Sequence, residues 1–207
     1  MTYLLIGFVI VLLVPLFAAS WRTSLLGIAL QGLLLGSIAL RTHEHASASA
    51  VLSLVDLFVV RGIVAPQILY RILSTHNAPR RGDIIPSNLF SWALVATFVL
   101  VSFRFATATL TADFTSSLHL ASATSALVLG MYVLSSQSSM FSQMVGLLRI
   151  ENAIALFELM SPHRFPAPIQ VGVSIVFAIT VLLFGRFLRV ALQYPSEPKL
   201  AEERPTL

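Results

Sequence analysis

Residues 51–73 read VLSLVDLFVVRGIVAPQILYRIL, a run in which only Asp56, Arg61 and Arg71 are charged. A helix of roughly 20 mostly apolar residues crosses the hydrocarbon core of a bilayer. This run is long enough, and it carries an acid and a base where lipid would surround it. Similar apolar runs recur along the chain at about 3–20, 23–40, 49–73, 88–105, 117–135, 139–160 and 168–190. They predict an all-α integral membrane protein with about seven transmembrane helices.

Composition agrees. The 207-residue chain is 57% hydrophobic and 11% charged, with a mean hydropathy of +0.87. A soluble domain carries about a quarter charged residues, which keep its surface in water. A water-soluble enzyme, a disordered chain and a soluble nucleic-acid binder are thereby excluded. The net charge of +4 does not point to nucleic acid, because the basic residues gather at the ends of apolar runs, where they set topology. Met1–Ile10 holds no Lys or Arg and is expected to begin a first span rather than a signal peptide.

Seven crossings put the termini on opposite sides. One side then holds eight basic side chains, including Arg22, Arg71, Arg80, Arg81, Arg186 and Arg189, against Arg41, Arg104 and Arg164 on the other. The positive-inside rule predicts an N-terminus outside and a C-terminus in the cytoplasm. Loops are short, so residues 1–193 form one transmembrane domain, followed by a cytoplasmic tail at 194–207 rich in proline and charge. Pro79-Arg80-Arg81-Gly82-Asp83 reads as a turn.

The chain has no cysteine, so it cannot hold a disulfide, a thiolate-bound iron–sulfur cluster or a nickel–iron centre. No cofactor and no resident metal are expected. His43 and His45 flank Glu44 in a short loop, which is a weak metal signal. Gly32 and Gly36, one turn beyond Gly27, predict close approach of another helix to span 2. Pro15 and Pro66 each free a carbonyl four residues back. At Pro66 that carbonyl belongs to Gly62, beside Arg61; the kink either packs or admits water next to a charge.

An ionisable group near the centre of a span costs about 2.5–3.5 kcal/mol on insertion scales, so each needs a reason. Span 3 holds Asp56 and Arg61; span 6 holds Arg149, Glu151 and Glu158. Arg61 and Glu151 lie near the middle of their spans and are expected to meet. Asp56 and Glu158 are expected outward of that level, as a polar ladder. On an α-helix, Asp56 and Arg61 would be about 140° apart and would not share a face. Arg149 is expected on another face, meeting a partner subunit or snorkelling to a lipid phosphate. A buried carboxylate beside a cation can trade a proton as the pair opens and closes. The alternative is a static pair that fixes helix register.

The run Gln143-Met144-Val145-Gly146-Leu147-Leu148-Arg149-Ile150-Glu151-Asn152-Ala153-Ile154-Ala155-Leu156 resembles the G-x-x-x-x-E-N helix of the hydrogenase-4 component E family. It is also similar to the second helix of the NuoK subunit of complex I, whose key glutamate would fall at Leu148. Leu54–Pro66 resembles the component E segment in which a basic residue, usually lysine, precedes a proline. Here it is Arg61, which does not deprotonate. The resemblance implies that the last three spans are NuoK-like.

It further implies a non-catalytic membrane subunit of a formate-hydrogenlyase-like, group 4 nickel–iron hydrogenase assembly in a bacterial or archaeal cytoplasmic membrane. Antiporter-like and membrane-anchor subunits would be its partners, with iron–sulfur clusters and the metal centre in other chains. Glu151 would be the protonatable centre and Arg61 its charge partner. The second carboxylate of the NuoK pattern is replaced near Val176, with Ser174 and Thr180 as polar neighbours. A related non-hydrogenase or antiporter-type complex, a lone transporter and a structural scaffold remain alternatives.

Overall fold

A computed structural model describes residues 1–13, 16, 20–42, 48–76, 89–110, 113–160 and 166–193. Nearly all of those residues are helical, with no strand among them. The helices are α1 (Thr2–Leu13), α2 (Trp21–Thr42), α3 (Ala48–Val55), a π-helical segment (Asp56–Val64), α4 (Ala65–Thr75), α5 (Leu89–Thr109), α6 (Phe114–Ser136), α7 (Met140–Met160) and α8 (Ala167–Gln193). Each apolar run overlaps one or more of these elements, the run at 3–20 being described as α-helix only over Thr2–Leu13 and the run at 49–73 spanning three of them. α3, the π segment and α4 follow one another without a break as a single rod.

Among the described residues, five elements are long and apolar enough to cross a membrane: α2, the Ala48–Thr75 rod, α5, α6 and α8. The protein is therefore a helical membrane protein. α1 is apolar but shorter, with 12 residues. Residues 14, 15 and 17–19, Pro15 among them, lie outside the described residues, as do His43–His45, the turn at Pro79–Asp83, Arg164 and the tail. The 21 residues of α7 include Arg149, Glu151, Asn152 and Glu158, which lower its hydropathy.

α6 packs along α7, α5 and α1, while α2 packs against α1, α7 and the rod, and α8 lies along α3 and α4. Glycines set two of these approaches. A Cβ on Gly32 would lie 2.6 Å from the Gly62 backbone nitrogen, so α2 meets the π segment backbone to backbone. A Cβ on Gly146 would lie 2.9 Å from the Leu134 nitrogen, which explains why α6 and α7 share so long a seam. The glycine pair in α2 therefore packs as its spacing suggests.

Two apolar clusters fill the interior. Along α2 the first holds Leu35 and the second Ile28; along the rod they hold Leu57 and Ala65; along α7, Ala153 and Leu148. The change from one cluster to the other thus falls at Gln31, at Arg61 and at Arg149–Asn152. A polar band crosses three helices at one level. At one end of the bundle Trp21 and Tyr70 pack with ring centroids 5.5 Å apart, and Arg22 sits 5.3 Å over the Trp21 ring. This is the amphipathic pattern of a helix end at a membrane–water boundary.

Candidate functional site

Arg61 is the centre of the site. Its side chain is 1% exposed, among the largest fully buried side chains of the described residues. Nε donates to Asp56 Oδ2 at 2.9 Å, the length of a charge-assisted hydrogen bond. Nη2 lies 3.8 Å from Glu151 Oε2, an ion pair without hydrogen-bond contact. The guanidinium carbon stands 4.1 Å from the centroid of the Phe177 ring, a cation–π stack.

The expectation that Asp56 and Arg61 point different ways is corrected. It assumed α-helical geometry, in which five residues turn through about 140°. Residues 56–64 instead bond in the i→i+5 pattern of a π-helix. Each turn takes in an extra residue, so residue i+5 returns over residue i and Arg61 closes onto Asp56. The wide turn ends where Ala65 N–H donates to Val60 O. Pro66 then falls in the first turn of α4, where its missing N–H coincides with the change of register. The kink read from Pro66 is thus absorbed as a change of helix type.

The meeting of Arg61 with Glu151 is found. Glu158 lies two turns from Glu151 on the same face of α7, and Gln170 Nε2 donates to its Oε1 at 3.3 Å. Asp56 and Glu158 line one small pocket together with Ser53, Gln170 and Ser174. Pairing Glu151 with Arg61 and bringing Glu158 to Asp56 makes α7 antiparallel to the rod. α8 is parallel to it, with Gln170 and Ser174 beside Asp56, Phe177 over Arg61 and Gly185 near Ile72.

Arg149 is the second correction. It is 2% exposed and lies inside the protein rather than reaching a lipid headgroup. Glu151 is two residues away, roughly opposite around an α-helix, so the two side chains leave α7 on different sides. Burial of Arg149 follows from its place at the α7 level where both clusters meet, with Leu148 and Asn152 buried beside it.

Val176, the position offered for a second carboxylate, is 57% exposed and faces away. The residue after it, Phe177, is the one that reaches the site. Three further contributors escaped sequence reading. Gln31 is buried in α2, where its Oε1 accepts from Asn152 Nδ2 at 3.3 Å. Gln170 holds Glu158, and Ser53 lines the pocket. Polar side chains that interrupt apolar runs were the available signal for all three.

Several buried polar atoms of this band have no hydrogen-bond partner among the described residues: Gln31 Nε2, Asn152 Oδ1, Asp56 Oδ1, Arg61 Nη1 and Gln170 Oε1. Such atoms are rare in protein interiors and cost about 1–3 kcal/mol each when left unmet. Here they gather along one level and the pocket above it. No group of three or more His, Asp and Glu side chains is placed to hold a metal ion among the described residues.

Charge sharpens the picture. Asp56 and Glu151 both pair with Arg61, and Glu158 lies beyond them in the pocket that Asp56 lines. Asp56 is fastened by the short bond, whereas Glu151 is loosely paired and 18% exposed. Glu151 pairs with Arg61 without a hydrogen bond between them. No family model, no curated protein and no solved structure matches this chain.

Proposed function

We propose that this chain is a non-catalytic membrane subunit of an ion-translocating assembly, in which Glu151 takes up and releases a proton under the control of Arg61. Seven crossings, with the N-terminus outside and the C-terminus in the cytoplasm, complete this reading. The observation that carries it is the buried Arg61, fastened to Asp56 at 2.9 Å and loosely paired with Glu151 at 3.8 Å. A fixed cation beside a movable acid favours the ionised form when the pair is closed, and the protonated form when it opens. The unmet polar atoms at Gln31, Asn152 and Asp56 provide hydrogen-bonding stations along the same level.

The resemblance of Gln143–Leu156 and Leu54–Pro66 to hydrogenase-4 component E gives the reading its setting: a hydrogenase-4-like, complex I-related assembly in a bacterial or archaeal cytoplasmic membrane. Electron transfer and its metal centres would belong to partner chains. This subunit would join an antiporter-like subunit to the membrane anchor. The exposed apolar faces of α5, with Phe90, Leu100 and Phe105, and of α8, with Leu182 and Phe187, suit lipid and neighbouring subunits.

The test is Glu151→Gln in the native assembly, reconstituted in vesicles with an entrapped pH dye. Proton translocation is expected to fall at least about tenfold, with the assembly intact by size exclusion. Unchanged translocation would support the scaffold reading instead.

A further inference from the structure

The pocket between the rod, α7 and α8 has a donor–acceptor imbalance that the proton reading of Glu151 does not use. Its polar lining comes from Ser53, Asp56, Glu158, Gln170 and Ser174. Asp56 and Gln170 are each more than nine-tenths buried, at 8% and 9% exposure. Asp56 Oδ2 is taken by Arg61, while Oδ1 has no partner among the described residues. Gln170 Nε2 is taken by Glu158, which fixes the amide orientation and leaves Oε1 without a partner among the described residues. Turning that amide over would set its oxygen against a carboxylate.

Two buried acceptors therefore line one pocket with a second carboxylate and two hydroxyls. The pocket has room for about one water-sized occupant. All the ligand atoms are oxygen, the donor set of hard cations; softer metals favour nitrogen and sulfur. Charge selects further. With Glu151 holding its proton, as in the relay proposed above, Asp56 and Glu158 carry two negative charges and Arg61, which also pairs with Glu151, one positive. A singly charged cation brings this trio to neutrality, whereas a divalent ion would leave an uncompensated charge in the interior.

We propose that this pocket binds one sodium ion through Asp56, Glu158, Gln170 and the serine hydroxyls. The inference rests on the reading of the chain as an ion-translocating subunit and names a second ion for it, at a step outside Glu151. Glu151 keeps the proton; the pocket keeps the metal ion.

The experiment is equilibrium binding of radioactive sodium to the full chain in lipid nanodiscs at pH 8, with potassium or choline as competitor at equal ionic strength. Saturable binding of one sodium per chain is expected, with at least about tenfold weaker competition by potassium. Glu158→Gln and Gln170→Leu should each weaken binding at least about tenfold, and Glu151→Gln should leave it within about twofold. Ser174→Ala, which removes one oxygen and no charge, should weaken it several-fold and serves if the other variants do not fold. Absence of saturable binding, or binding indifferent to Glu158→Gln, Gln170→Leu and Ser174→Ala, overturns the proposal, a protonated Glu158 being the remaining way to fill the pocket. Because the readout is binding, its failure leaves the Glu151 translocation result standing, and the reverse holds.

Discussion

Arg61 Nε reaches Asp56 Oδ2 at 2.9 Å across a separation of five residues, and only the π-helical turn between them makes that possible. The ion pair is local in sequence yet sits where α2, α7 and α8 converge. Its two members come from one rod, so no other helix is needed to supply either partner. Glu151 and Phe177 meet the same guanidinium from α7 and α8.

Arg61→Leu should leave Asp56 buried without its cation and destabilise the protein by about 3–5 kcal/mol. Pairing it with Asp56→Leu should recover a large part of that loss, since replacing both partners by apolar groups is often near neutral. Reversible unfolding in mixed micelles, read as a double-mutant cycle, measures the coupling. Additive losses would mean that the bond contributes nothing.

Gly32→Ala places a methyl 2.6 Å from the Gly62 nitrogen. Backbone cannot yield as a side-chain tip can, so α2 must move off the π segment. A loss of about 1–3 kcal/mol is expected. Gly172→Ala, which meets nothing within 4 Å, is the control and should be near neutral or slightly stabilising. Thermal unfolding of the two variants side by side decides it.

Phe177→Leu keeps an apolar side chain over Arg61 and removes the ring 4.1 Å from its guanidinium. Cation–π contacts in desolvated sites contribute roughly 2 kcal/mol. The variant should lose stability of that order in wild type and much less in the Arg61→Leu background. Equal losses in both would reassign Phe177 to simple packing.

Gln31→Leu alone should cost more than Gln31→Leu with Asn152→Leu. The single change strands the Asn152 amide in the interior, whereas the pair removes both polar groups. Chemical denaturation of the three variants compares them. A double variant worse than the single would show that the two amides answer to other partners.

Asp113 lies just ahead of α6, outside the helix, and accepts a 2.5 Å hydrogen bond from the Ser116 hydroxyl. That bond, opposed by desolvation and helped by nearby backbone N–H groups, holds its carboxyl below the usual carboxylate range. The folded value lies below the unfolded one, so the contribution to stability is present above the unfolded value. It is lost as pH falls through the folded value. Ser116→Ala should raise the Asp113 midpoint toward the ordinary one, as read by carbon NMR of the labelled carboxyl. An unchanged midpoint would assign the shift to the backbone groups.

The helical class and the helix positions were legible because bilayer thickness imposes a length that any apolar run declares. The encounter of Arg61 with Glu151 was legible for a similar reason: charges in oil must meet, and both stand mid-span. The Asp56–Arg61 contact was not, because the angle between two residues follows from helix type, and a π turn leaves little mark on an apolar run. Arg149 was misplaced because its length allowed snorkelling, whereas only packing reveals that α7 carries it inward. Gln31, Gln170 and Phe177 escaped for a different reason. Neutral side chains cost less to bury than charges, so none demanded a partner when read alone.

The wide turn between Asp56 and Arg61 bears on how chains of this kind can differ in length. In an ordinary α-helix, residues four apart share a face; in this segment, residues five apart do. Deleting one of the four intervening residues would relax the turn to α-helix and still leave acid over base. An indel of one residue at this spot is thus nearly silent for the ion pair. Anyone aligning such chains should permit a gap there before concluding that the acid or the guanidinium has been lost.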